Sequence, residues 1–264
     1  SNQLTRRLLE HRNSVLKYLF GYSFDTLSPS AQHALRMLSV PSLPVKAKYL
    51  SQWLDQDIEA VIDSLVELLR CALVQEVHVL DQRGQHSRSR PMHERSYCVH
   101  PLTRLFVEQM EGSTQTRVQI VSALTKTLGT GEHSADWPPL DIINRVDDQH
   151  DLVEWAVYDS YKRKDFKACI ELIRLSSYAL GIRGHNDLRI KIALLGCEAA
   201  RHLHDPHAAA RFLLRDVAWV HFMWHKFDDC LEAVAKARNL LLSCDTVDRS
   251  LEGLIKRHER SEER

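Results

Sequence analysis

The sequence predicts a mostly α-helical chain with one short β interruption. Three observations carry this reading. Only 9 glycines and 8 prolines occur in 264 residues, which leaves room for long helices. Apolar residues recur at three- and four-residue spacing over most of the chain. Between about residues 72 and 100 that rhythm gives way to β-branched residues in partial alternation.

Composition narrows the class further. The chain carries 35 Lys+Arg and 35 Asp+Glu, with 44% hydrophobic and 27% charged residues. That is an ordinary globular balance, too apolar for a disordered chain. The length suits one large domain or two modest ones. No apolar run approaches the roughly 20 residues that a membrane helix needs, and the N-terminus has no secretory core. The six cysteines (71, 98, 169, 197, 230 and 244) form no CxxC pair, so neither a disulfide framework nor a zinc ribbon is expected. A reduced, cytoplasmic setting follows, with no membrane partner. Zero net charge argues against coating of nucleic acid. No P-loop, GxGxxG, GxSxG or HExxH occurs, so no catalysis, bound cofactor or metal is expected of these residues.

In chain order, residues 4–20 place leucines and Phe20 in a basic helix, the end of a preceding helical segment assigned to 1–22. Ser28 and Pro29 read as N-cap and first helical residue. Ala31, Ala34, Leu35 and Leu38 supply the stripe of that helix, and Pro41 and Pro44 end it. Residues 45–54 read as a second helix bearing Tyr49 and Trp53. After Asp57, the third helix has the strongest periodicity in the chain: Ile58, Val61, Ile62, Leu65, Leu68 and Leu69. Residues 72–80 and 96–100 read as two strands joined by the loop 81–95. Pro101 opens a helix to about Met110. Three helices and then a hairpin is the order of a winged helix-turn-helix domain with a small β-hairpin, assigned to 23–111.

Residues 112–140 read as a connecting helix (114–128) and a linker. From 141 to 245 the pattern is α throughout: 141–162, 165–180, 187–203, 206–225 and 227–243, with short polar breaks. Such breaks imply antiparallel neighbours. Two stretches resemble each other. Phe166, Cys169, Ile170 and Glu171 follow an aromatic and a polar turn, as do Phe227, Cys230, Leu231 and Glu232. That is the shape of tetratricopeptide repeat (TPR) packing, without its 34-residue spacing. The region is read as a TPR-like α-hairpin solenoid, and residues 246–264 as a charged tail.

A DNA reader needs basic residues on its recognition helix. Here the third helix exposes Asp57, Glu59, Asp63 and Glu67 against Arg70 alone, so DNA is not the expected partner. The hairpin tip is basic. Arg83, Arg88, Arg90 and Arg95 are its candidates for nucleic-acid or phosphate contact, positioning rather than specifying. A DNA-binding transcription regulator with a TPR-like sensor is therefore the alternative reading.

Residues 24–40 (FDTLSPSAQHALRMLSV), the run from Ile58 to Leu73, and Tyr97-Cys98-Val99-His100-Pro101-Leu102-Thr103-Arg104-Leu105-Phe106 resemble the winged-helix domain of NB-ARC-type STAND signalling ATPases. The resemblance covers about residues 15–111. Val99 and Pro101 replace the Met and Asp of that family's Met-His-Asp-Leu sequence. The resemblance implies a regulatory lever that packs on a nucleotide-binding domain, with His100 as sensor of the nucleotide phosphate. It also implies that this chain is a regulatory and sensor fragment. Its Walker motifs and its ADP or ATP would then belong to a parent protein, and its partners would be that nucleotide domain and a protein or peptide ligand on the helical hairpins. Trp155, Tyr158, Tyr161, Trp219 and Trp224 are the candidates for lining a partner groove. His202, His204 and His207 with Asp205, and His221 with His225, do not amount to a metal site. Cys169 and Cys230 read as small core residues.

Overall fold

The computed structural model describes residues 20–77, 91–110, 113–129, 138–242 and 249–260, together with Val15 and Tyr18. Most of the helix expected over 4–20, and Arg83, Arg88 and Arg90, lie outside the described residues. The chain is mostly helical with one small three-stranded sheet. It divides into two compact units, Ser1–Ala123 and Leu124–Arg264.

In the first unit, residues 20–25 are helical and lead to α1 (Pro29–Ser39). The Ser28 hydroxyl caps α1 by accepting from the Ala31 N–H at 3.2 Å, with Pro29 in the first turn. Ala31, Ala34, Leu35 and Leu38 are fully buried, so the expected stripe is the packed face. A two-residue strand, β1 (Val45–Lys46), precedes α2 (Ala47–Leu54). Residues 45–54 are thus a strand and a helix rather than the one helix expected, because two residues are too few to show alternation. α3 (Ile58–Arg70) buries Val61, Leu65 and Leu68 against Tyr49 and Trp53 of the same small core. β2 (Val74–Val77) and β3 (Ser96–Val99) pair antiparallel, and β1 joins the other side of β3, giving the order β1-β3-β2. Tyr97 therefore sits between Val45 and Glu76 in the central strand, fully buried. Burial first, and then the Glu76 charge, push its phenol pKa up. α4 (Pro101–Met110) and α5 (Ser113–Gly129) follow, and the division between the units falls inside α5.

The second unit contains α6 (Leu140–Asp148), α7 (His150–Lys162), α8 (Phe166–Ile182), α9 (Asn186–His202), α10 (Pro206–Phe212), a π-helical segment (Leu213–Ala218), α11 (Trp219–Met223), α12 (Phe227–Leu242) and α13 (Arg249–Arg260). The expected helix over 141–162 is broken at Gln149, whose φ of −127° interrupts the α conformation. Residues 249–260 were expected in a charged tail. They form a packed helix instead, burying Leu251, Ile255 and His258. Their i, i+4, i+7 spacing was hidden by the charges between them.

The helices obey a cadence that no motif announces. Lys164, Gly184 and His204 all have positive φ, 20 residues apart, and His225 follows 21 later. At each, the next residue's N–H reaches the carbonyl five residues back at 2.9 Å: Asp165 to Ser160, His185 to Leu180, Asp205 to Ala200 and Lys226 to His221. That is the Schellman closure of a helix. The unit is thus a helical repeat whose period is a single helix. The likeness of Phe166–Glu171 to Phe227–Glu232 spans α8 to α12, with α9 and the α10–α11 run between them. The two stretches are three helices apart, an odd number, so they are not equivalent positions of a two-helix repeat.

Close packing is visible at Gly196 of α9. A Cβ there would stand 2.9 Å from Ile173 of α8 and 2.9 Å from the Phe212 ring of α10. Gly253 of α13, in contrast, has no atom within 4 Å of that position. Gly196→Val is therefore expected to cost about 1–3 kcal/mol in urea unfolding. Gly253→Ala is expected to add about 0.5–1 kcal/mol by removing a glycine from a helix interior.

Candidate functional site

A cleft of the second unit has a volume of about 590 Å³, within the range of ligand sites. Tyr178, Gly181 and Ile182 of α8 and Asn186 and Arg189 of α9 form one wall. Leu214 and Arg215 of the π segment, with Trp219, Val220 and Met223 of α11, form another. Leu254, Arg257 and His258 of α13 close it. Ile182, Trp219 and Met223 are exposed apolar residues at this cleft. Among the described residues no Asp or Glu lines it, while three arginines do. A second, more polar cleft of about 470 Å³ adjoins it, sharing Arg215, Leu254 and Arg257 and adding Arg211 and Arg249.

Two departures from the helical cadence stand at the cleft wall. The first is Arg189. It occupies the slot, four residues into its helix, that Cys169 fills in α8, Ala209 in α10 and Cys230 in α12, all buried. An arginine fits there because Gly181 faces it. A Cβ on Gly181 would stand 2.5 Å from Nη1. The guanidinium is anchored by Asp216: Nε donates to Oδ1 at 2.9 Å and Nη2 lies 2.8 Å from the same oxygen. Nη2 also donates to the Arg215 carbonyl at 2.8 Å, and the Ser177 hydroxyl donates to Asp216 Oδ1 at 2.7 Å. Nη1 has no partner among the described residues.

The second departure is the extra residue between His204 and His225. A π turn holds one more residue than an α turn, and Leu213–Ala218 absorbs the insertion at the cleft wall. Such segments often mark functional positions. Asp216 lies within it. The Leu214 carbonyl accepts a hydrogen bond from His258 of α13, whose ring also meets Trp219 and Phe222 edge-on at 6.3 and 6.2 Å. Burial holds the His258 pKa below its ordinary 6.5, and the Leu214 bond only partly offsets this.

The residues singled out from sequence fall in several places. Trp219 lines the cleft. Tyr158 and Tyr161 belong to a polar face of α7 and α9. There the Tyr161 hydroxyl donates to Glu198 at 2.8 Å, and Lys191 lies 5.1 Å from the Tyr158 ring centre and 2.5 Å from Glu154. Trp155, on the same helix, is half-buried and lines no described cleft. Trp224 meets His221 edge-on and carries Lys226 over its ring. These aromatics do not converge on one groove.

In the first unit, His100 is exposed, and its Nδ1 accepts from the Leu102 N–H at 3.3 Å, capping α4. A neutral ring so bound carries its proton on Nε2, as a donor. Arg95 pairs with Glu76 at 3.3 Å. Glu67 accepts from the Ser28 N–H and hydroxyl at 2.7 and 2.6 Å, so one of the three acidic residues of α3 serves the fold. Cys169 is buried and its pKa is pushed up to about 12, chiefly by desolvation, so its thiol stays protonated.

Sequence reasoning passed over Arg189, Asp216, Arg257 and His258. The one available signal was an arginine where the 20-residue register puts Cys or Ala.

No family model and no curated protein matches the chain. Among solved structures it is similar to a signal transduction ATPase with numerous domains (STAND) protein with a tetratricopeptide repeat sensor from Pyrococcus horikoshii. The identity is 14% and the TM-score 0.32, over 92% of this chain and 40% of that one. The chain thus spans two fifths of the length of that protein.

Two outcomes follow from this geometry. Asp216→Ala strands a buried guanidinium and is expected to cost about 3–5 kcal/mol in chemical denaturation, whereas Arg189→Met with Asp216→Leu should recover much of that loss. The unfolded chain protonates His258 at a higher pH than the folded one does. Stability is therefore whole above about pH 6.5 and falls as the pH drops below it. Urea midpoints of wild type and His258→Phe compared above and below that pH should show a smaller acid loss in the variant.

Proposed function

We propose that this chain is the non-catalytic regulatory and sensor part of a STAND-type signalling ATPase. The observation that carries the reading is the basic, apolar-rimmed cleft of the helical repeat. Arg189, held by the buried Asp216, and Arg215 and Arg257 line it, and Trp219, Met223 and Ile182 form its apolar part. The chemistry suits an acidic peptide or protein segment with an aromatic or aliphatic anchor: charged groups supply orientation, and the buried anchor supplies most of the affinity.

The first unit is, on this reading, a winged helix that acts as an interdomain lever. Its order of elements and the resemblance over residues 15–111 support it. The exposed Asp57 at the N-cap of α3, with Glu59 and Asp63 on it, speaks against docking on DNA. His100 would present its Nε2–H to a nucleotide phosphate in the parent protein, beside the start of α4. Ligand binding at the helical repeat shifts the balance between a restrained and a released state only by its difference in affinity for the two.

The test is a fluorescence titration of the full chain with a Glu-rich peptide carrying one aromatic residue, at low and high salt. Saturable, salt-weakened binding is expected, and Trp219→Ala and Arg257→Glu should each lower affinity by at least about tenfold. Absence of binding, or binding indifferent to both variants, overturns the sensor reading. Nanomolar binding to one defined DNA site with a steep salt dependence would overturn the lever reading.

A further inference from the structure

We propose that Asp147, His150 and His185 form a binding site for a divalent transition-metal ion of zinc-like preference, which pins the α6–α7 junction to the α8–α9 turn. One ligand atom from each residue lies within 4.8 Å of the other two. Ligand atoms of a tetrahedral zinc site with bonds near 2.0–2.1 Å stand about 3.3–3.4 Å apart, so the triad closes on one ion when its atoms draw in by up to about 1.4 Å and the two rings pivot out of their stacked arrangement. All three are partly exposed, which leaves an entry path.

The tautomer of His150 leaves a ring nitrogen open to a metal. His150 Nδ1 lies 2.8 Å from the Asp147 carbonyl. A carbonyl can only accept, so Nδ1 donates, and the neutral ring keeps its lone pair on Nε2. That hydrogen bond is the supporting contact that metal-ligating histidines make. His150 Nε2 then faces Asp151 Oδ1 at 3.4 Å, two acceptors separated by the spacing of two ligands on one ion. The His185 ring stacks on that of His150, with centroids 4.3 Å apart and planes 18° apart, and its Nε2 lies 2.8 Å from Asp147 Oδ1. On binding, the ion replaces the proton held between that nitrogen and that oxygen, and the proton leaves to solvent. Arg183 Nε lies 3.6 Å from the other oxygen, Oδ2, and so holds the carboxylate from outside while leaving Oδ1 for the metal. Asp151 or water supplies the fourth position. Two imidazole nitrogens select a transition metal over calcium or magnesium.

A second observation is independent of these distances. His185 stands at the helix N-cap that Asp165 and Asp205 occupy in the neighbouring repeats. Both aspartates accept from a backbone N–H of the following turn, Ala168 at 3.3 Å and Ala208 at 2.9 Å. His185 makes no such bond. Its side chain forgoes the cap and turns to His150 and Asp147. A position that breaks the local rule without a local gain points to a further role.

The experiment uses the full 264-residue chain, stripped with chelator and titrated calorimetrically with zinc chloride, then with cobalt(II) followed by absorption. One equivalent is expected to bind and to raise the melting temperature. His185→Asn keeps a residue able to cap α9, and is expected to weaken zinc binding at least about tenfold while preserving the circular dichroism. Asp147→Asn should do the same, and serves as the second variant if either fold is disturbed. His202→Asn with His204→Asn, at the other histidine-rich turn, should leave affinity unchanged; asparagine tolerates the left-handed backbone at 204. No stoichiometric binding, binding indifferent to His185→Asn and Asp147→Asn, or binding lost with the 202/204 pair overturns the site.

Discussion

The middle of the second unit depends on one constraint: from Lys164 to His225 each helix and its turn fit into 20 residues, or 21 where a π turn absorbs one more. The turn is closed each time by the same pair of features, a left-handed residue and an N–H that reaches five residues back. This closure satisfies carbonyls that the helix end would leave open. It also returns the chain at a fixed phase, so that one side of each helix meets the preceding helix and the other the following one. Small or compact residues at the crossings, Cys169, Gly196, Ala209 and Cys230, let the helices approach. Only Gly184 among the four left-handed positions is a glycine. Lys164, His204 and His225 accept the steric cost, of order 1 kcal/mol each, because the closure and the packing on both sides outweigh it.

Where the cadence is broken, chemistry enters. Arg189 takes a slot meant for a small residue, and is accommodated only because Gly181 removes a side chain and Asp216 supplies a counter-charge. Asp216 is brought round by the single extra residue that widens the helix into a π turn. His185 takes a slot meant for a capping aspartate and joins a second cluster instead. Both departures lie around the α8–α9 turn, where Gly181 and Arg183 also contribute, one to each cluster.

The first unit is held by a different device. Glu67 of α3 binds both the N–H and the hydroxyl of Ser28, which itself caps α1. One carboxylate thus fixes the start of one helix from the side of another, and the sheet closes over the same core through Tyr97. A face that looks like plain acidic surface in the sequence is in part a structural joint.

Much of the architecture was legible in the residues themselves. Ser28-Pro29, the stripe of Ile58 to Leu69, the alternation around Tyr97 and the polar breaks after 162 and 204 are local signals, because caps, periodicity and turns act over fewer than ten residues. The strand at Val45 is too short to signal itself, and the helix at 249–260 has its apolar positions buried in charge. The 20-residue cadence escaped notice because its markers, Lys164, His204 and His225, are not residues that usually signal a helix end. The pairings within the clusters were not legible. Arg189 and Asp216 are 27 residues apart, and Asp147 and His185 are 38 apart. Such pairings arise only when helices stack at a definite phase, since a salt bridge or a shared ligand depends on positions that the tertiary packing, and nothing local, brings within 3 Å.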